Sequence, residues 1–136
     1  MYKNILIPVD IAHGEINPKV IEAARALGDK DAKYTFLYVM DVIPSYIAAE
    51  LPEDVFARNR QVAEERLEEE VKAAGLEGER ILKAGHAATE ILDLIESKGI
   101  DCVVIASHRP GLRDYFLGST AARVVRHAPC SVHVVR

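Results

Sequence analysis

The sequence predicts an α/β fold: a single open, doubly wound sheet of five parallel strands in the order 3-2-1-4-5, with four helices. Three observations carry this reading. Short apolar runs alternate with segments of helical period along the chain, and such alternation implies right-handed crossovers between parallel strands. Two of the runs, the first and the fourth, are apolar almost throughout, which suits strands buried on both faces at the centre of a sheet. The 136 residues contain no repeat, low-complexity tract or linker, and that length fits one domain, 1–136.

The elements follow in order. The run NILIPVD (Asn4–Asp10) is the first strand. NPKVIEAARALG opens with Asn17 as N-cap and Pro18 at the first helical position, turns Val20, Ala24 and Leu27 to one face, and ends at Gly28. KYTFLYVM (Lys33–Met40) is rich in aromatic and β-branched residues and makes the second strand. The segment Asp41–Pro52 is too apolar for a bare linker; it either covers the sheet edge or closes, through Tyr46, over a bound group. Glu53–Ala74 is a long helix with Val62, Leu67, Val71 and Ala74 toward the core, and its acidic run from Glu64 to Glu70 reads as a solvated face. ERILKAG (Glu79–Gly85) is a more polar strand and so lies at an edge. His86–Gly99 is a helix with Ala88, Ile91, Leu92 and Ile95 on one face, Asp101–Ser107 the fourth strand, STAARVVRHA the last helix and SVHVVR the final strand.

Composition excludes several classes. The net charge of −4 gives no basic footprint for nucleic acid. The opening apolar run is too short for a signal peptide or a membrane span and is interrupted by Pro8, so the expectation is a cytoplasmic protein without membrane insertion. Cys102 and Cys130 form no CxxC pair and read as free thiols in a reducing compartment, neighbours in the sheet. No histidine pair has metal-site spacing with a third ligand: His13, His86, His127 and His133 are scattered, with His13 expected to face solvent.

In a doubly wound sheet, ligands bind where the winding reverses, beyond the C-terminal ends of the central strands. That places the chemistry after Val9 and after Ile105. Asp10 closes the first strand; an Asp there can accept from a ribose, hold a metal, act as a phosphoacceptor, or merely cap its loop. A response-regulator site does not fit, since Asp10 has no acidic neighbour and the third strand ends in Lys83-Ala84-Gly85. After the fourth strand comes ASHRPGLRDYFLGSTAARVV (Ala106–Val125), in which Gly118, Ser119 and Thr120 precede a helix. The open N–H groups and dipole at a helix start favour an anion, although Gly and Ser are also ordinary turn and cap residues. His108 and Arg109 on the same loop add a titratable donor and a bidentate phosphate clamp.

On these residues the chain resembles the universal stress proteins nearly end to end. YKNILIPVD and FLYVMD are similar to the family's first two strands. VVIASHRP…LGSTAARVVRHAPCSVHVVR resembles the C-terminal third of the branch with an SHRP sequence, which binds ATP. The resemblance implies an adenine nucleotide alpha hydrolase-like fold and a nucleotide-linked stress protein, with at most slow hydrolysis. Pro8, Val9 and Asp10 would line the adenosine, with Asp10 near the ribose. Val39 would meet adenine through its backbone, and Ile105 and Ala106 would lie under the nucleotide. Ser107, His108, Arg109, Gly118, Ser119 and Thr120 would surround the phosphates of ATP (or ADP or AMP), with Mg²⁺ accompanying the triphosphate. The family's G-x2-G-x9-G-[S/T] pattern is altered here. Ala106 and Arg109 stand for its first two glycines, eight residues (Pro110 to Leu117) precede Gly118-Ser119, and Gly111 is placed to supply flexibility. There is no Walker motif, no HIGH-like motif and no Ser-Gly-Gly loop after the first strand. The final strand, 131–136, implies a homodimer or a dimer of dimers by antiparallel pairing. A dimeric scaffold with a vestigial pocket is the competing reading.

Overall fold

A computed structural model of the chain describes residues 1–107 and 117–136. The strands β1 (Tyr2–Val9), β2 (Gly28–Met40), β3 (Glu79–Ala84), β4 (Cys102–Ala106) and β5 (Ser131–Val135) form one parallel sheet ordered β3-β2-β1-β4-β5. The helices are α1 (Pro18–Leu27), α2 (Ser45–Ala48), α3 (Glu53–Ala74), α4 (Ala87–Lys98) and α5 (Ser119–His127), with a 3₁₀ turn at Ile11–His13. The strand order and the four long helices are those the sequence predicts. α2 adds a single turn inside the segment 41–52, begun by Pro44, whose carbonyl accepts from the N–H groups of Ile47 and Ala48.

Strand alternation divides the core into two layers. Ile5, Ile7, Phe36, Cys102 and Val104 pack on the face covered by α1 and α3. Leu6, Leu37, Val103 and Ile105 pack on the face covered by α4 and α5. Winding therefore reverses between β1 and β4, which lie side by side in the middle of the sheet.

Local chemistry sets the element ends. Asn17 Oδ1 accepts from the Lys19 N–H at 3.0 Å and caps α1. Gly75 and Gly99 end α3 and α4 in the left-handed conformation, where glycine carries no Cβ penalty. Gly28 ends α1 differently: its backbone is extended, so the chain turns straight into β2, five residues before the start that the sequence predicts. The added residues reach β1 at Tyr2↔Gly28 across an irregularity before Asn4↔Lys33.

One expected core residue is misplaced. Val62 is 57% exposed, whereas Leu67 and Val71 are buried and Ala74 packs against them. Leu67, Val71 and Ala74 are spaced by four and three residues, the spacing of one helix face; Val62 lies five before Leu67 and falls off it. On α4, Leu94 joins Ala88, Ile91 and Ile95 in the core, while Leu92 is half-buried against the same cluster. The acidic run of α3 is mostly solvated, but Glu68 bridges to Arg80 Nε at 3.0 Å and to Lys72 Nζ at 3.5 Å. Arg60 donates to the Leu82 carbonyl at 3.2 Å. Together these contacts hold α3 against the edge strand β3.

Cys102 and Cys130 are free thiols, the first buried at the start of β4. Burial, then the neighbouring Cys130 and Asp101, push the Cys102 thiol from 9.0 up to about 11. Asp101 is fixed at that spot by the backbone N–H groups of Lys3 and Asn4, both at 2.9 Å. The unfolded chain releases the Cys102 proton near its ordinary value and the folded chain only near the raised one. The stabilisation is therefore intact below pH 9.0 and is lost as pH rises toward about 11. Urea midpoints measured at about pH 8 and about pH 10.5 should fall further for the native sequence than for Cys102→Ala; equal falls would show that this thiol is not responsible.

Candidate functional site

The site is created where two central strands part. The β1–β4 ladder pairs Ile5 with Cys102 and Leu6 with Val103. Beyond that level β1 stays with β2 as far as Val9↔Tyr38, and β4 stays with β5 as far as Ala106↔Val135. The cause lies in Pro8. The Asn4 carbonyl accepts from the Asp101 N–H at 3.0 Å, so Asn4 faces β4, and strand alternation turns Leu6 and Pro8 the same way. Proline has no N–H to give. The β1–β4 pairing therefore stops at Leu6↔Val103, short of the C-terminal ends of both strands, at the switch point.

Each predicted site residue within the described residues lies at this end of the sheet. Pro8, Val9 and Asp10 are half-buried on the β1 side, with Val39 one residue past the Val9↔Tyr38 pair. Ile105 and Ser107 are buried and Ala106 half-buried on the β4 side. Gly118 and Thr120 are half-buried and Ser119 exposed at the start of α5. His108, Arg109 and Gly111 lie outside the described residues.

Ser107, 1% exposed, is the junction. Its N–H donates to the Val135 carbonyl at 2.8 Å and its carbonyl accepts from the Gly118 N–H at 2.6 Å. The second bond ties Gly118 to the end of β4 and sets α5 beside it. Gly118 is the N-cap residue, with extended backbone, and no side chain caps the helix among the described residues. Serine as the ordinary cap is therefore not what the structure has: Ser119 stands at the first helical position. The N–H groups of the first turn point out of the helix with no acceptor among the described side chains, the arrangement that attracts an anion. Gly118 itself has φ −60°, a conformation open to any residue, and no non-glycine residue among those described has positive φ. Alanine at 106 is accordingly free of backbone strain.

Asp10 begins a compact turn. Ile11 is 2% exposed and anchors it in the core. The His13 N–H donates to the Asp10 carbonyl at 3.3 Å, and His13 Nδ1 lies 2.8 Å from Asp10 Oδ2. Gly14 ends the turn at φ 138°, ψ −170°, a region that is essentially glycine's alone. His13 is exposed, as expected, but it is also bound to the site's carboxylate, a pairing the sequence reading missed. The available signal was the Asp-x-x-His-Gly spacing, because residues i and i+3 eclipse in a 3₁₀ turn.

Nearby, Tyr46 is 73% exposed, with Val42 and Ile47 also exposed, so this part of the segment 41–52 is not packed as cover for the sheet edge. At the opposite end of the sheet a groove of about 620 Å³ is lined by Asn4, Lys33, Thr35, Glu79 and Lys98. There Lys98 is already paired to Glu79 at 2.7 Å. Among the described residues no group of three His, Cys, Asp or Glu side chains is placed to hold a metal, and no helix is long and apolar enough to cross a membrane.

Comparison with known proteins agrees with this architecture. Residues 1–136 match the universal stress protein family. Universal stress protein G of Escherichia coli O157:H7 is 35% identical over 142 residues, covering 100% of both chains. The solved universal stress protein UspA from Lactobacillus plantarum superposes with a TM-score of 0.67 at 25% identity, over 99% of this chain and 98% of that one. A universal stress protein family member from Arabidopsis thaliana, solved with AMP bound, superposes with a TM-score of 0.60 at 18% identity, over 98% of this chain and 90% of that one.

The turn at Asp10 makes its own demand on the sequence. Gly14→Ala meets open space, with nothing within 4 Å of an added Cβ, so its whole cost is conformational, about 1–3 kcal/mol. Urea unfolding should register that loss; an unchanged midpoint would show that the turn does not need glycine.

Proposed function

We propose a function for this chain from the premise that it belongs to the universal stress protein family: it binds an adenine nucleotide, ATP with its accompanying Mg²⁺, between the C-terminal ends of β1 and β4. The observation that carries this reading is the start of α5, uncapped by any described side chain and set beside the end of β4 by the Ser107–Gly118 bond. A polyphosphate satisfies those N–H groups and the helix dipole together. The AMP-bound family member supports the choice of an adenine nucleotide.

Within this reading Asp10 accepts from the ribose hydroxyls, the Val39 backbone meets adenine, and Ile105 and Ala106 form the floor. The Gly118 N–H is engaged by Ser107, so Gly118 acts as the cap that aims the helix rather than as a donor. Ser119 and Thr120 contribute N–H groups and hydroxyls, and Ser107, His108 and Arg109 complete the phosphate side. With no described cluster of metal ligands, Mg²⁺ is held mainly by phosphate oxygens and water, as is usual for this ion.

The protein acts as a cytoplasmic, nucleotide-linked regulator and a homodimer, the dimer forming through 131–136 with a further dimer of dimers open to it. β5 is an edge strand, and its outer row of backbone groups can take a second copy of itself. No step of hydrolysis is assigned to its residues.

Calorimetric titration of ATP–Mg²⁺ should give one site per chain, and Ser119→Ala should weaken it about 3–10-fold, the worth of one hydrogen bond. A protein that purifies without nucleotide and gives no heat with ATP–Mg²⁺ would sink the reading. Light scattering at micromolar concentration should return at least twice the 15.0 kDa chain mass; the mass of one chain would remove the dimer.

A further inference from the structure

The contact between His13 and Asp10 goes beyond what the loop pattern of the site explains. Nδ1 of His13 lies 2.8 Å from Oδ2 of Asp10, with side chains 46% and 37% exposed. An ion pair this open to water adds little to folding. Yet three separate features make the turn that produces it: the buried Ile11, the backbone bond from the His13 N–H to the Asp10 carbonyl, and Gly14 in a glycine-only conformation. These hold the imidazole over a carboxylate that stands at the C-terminal end of β1.

We infer that His13 is a positioning residue: its Nδ1–H fixes the rotamer of Asp10, so that the carboxylate is presented ready-oriented to the ribose hydroxyls of the nucleotide. This rests on the adenine-nucleotide reading above and assigns the sugar's recognition to a pair instead of to Asp10 alone. The chemistry is that of a histidine–carboxylate couple. Nδ1 donates in the neutral Nδ1–H tautomer and in the imidazolium alike, so the hold needs no particular charge on the ring. A carboxylate offers about four acceptor sites, more than the one that His13 takes. An unheld Asp side chain must give up rotamer freedom when it binds; one already held gives up less, and preorganisation of this kind appears as affinity. The ring does not need to touch the ligand for this role.

The test is a cycle between protein and ligand, using ATP–Mg²⁺ and 2′,3′-dideoxy-ATP–Mg²⁺ as probes on the full chain. His13→Ala should weaken ATP about three- to fivefold while leaving the affinity for the dideoxy nucleotide unchanged, since that ligand has no hydroxyl for Asp10 to meet. His13→Asn, whose amide nitrogen can take the place of Nδ1, should recover most of the loss, and the urea midpoints of both variants should match the native chain. Equal weakening of ATP and the dideoxy nucleotide would mean a general disturbance of the site and would overturn the inference. Unchanged ATP binding by His13→Ala would overturn it as well, with the nucleotide reading intact. A native chain that binds neither probe overturns the nucleotide reading itself, and this inference with it.

Discussion

The missing hydrogen on the Pro8 nitrogen is the constraint from which the rest of this end of the molecule follows. β1 and β4 are the two central strands, and a continuous ladder between them would seal the sheet from edge to edge. Alternation from Asn4, which faces β4, turns the nitrogen of Pro8 to that same side, where it has nothing to donate. β1 therefore finishes against β2, and β4 against β5. The helices that follow lie on opposite faces of the sheet, α1 after β1 and α5 after β4, because the winding reverses here. A proline in a buried strand is ordinarily a fault. At this position its cost falls on a pairing whose absence makes the site.

Ser107 turns that gap into something that can be felt elsewhere. Its carbonyl is bonded to Gly118, which sets the start of α5, and its N–H to Val135, in the outermost strand of the sheet. One buried residue thus bonds both to the start of α5 and to the edge strand β5. Two hydrogen bonds at this residue join the start of α5 to β5 directly.

Most of the fold was legible because the strongest signals were long and redundant. Glu53–Ala74 is bounded by Pro52 and Gly75, and the apolar runs of β1 and β4 admit only a central placement. The switch point where the candidate site was expected was legible for the same reason, since it follows from strand order. What sequence reading lost was local geometry. Val62 was assigned to the core for its residue type, though its spacing from Leu67 put it on the outer side of α3. The early start of β2 depends on an irregular pairing between Tyr2 and Asn4 that leaves no periodic trace. The His13–Asp10 contact depends on a single 3₁₀ turn, too short for any period to reveal, with Gly14 as its one visible mark.

The altered glycine pattern bears on how such a site is built. Glycines in a phosphate loop serve two separate ends: unusual backbone angles, and close approach without a Cβ. In the described part of this loop the first need does not arise. Ala106 lies within an ordinary strand, no described non-glycine residue has positive φ, and Gly118 sits at φ −60°. What remains is close approach, and a helix start supplies that through its own N–H groups, whatever residues precede it. The start of α5, anchored at Ser107, does not depend on the replaced glycines, so their loss does not by itself remove a helix start suited to an anion.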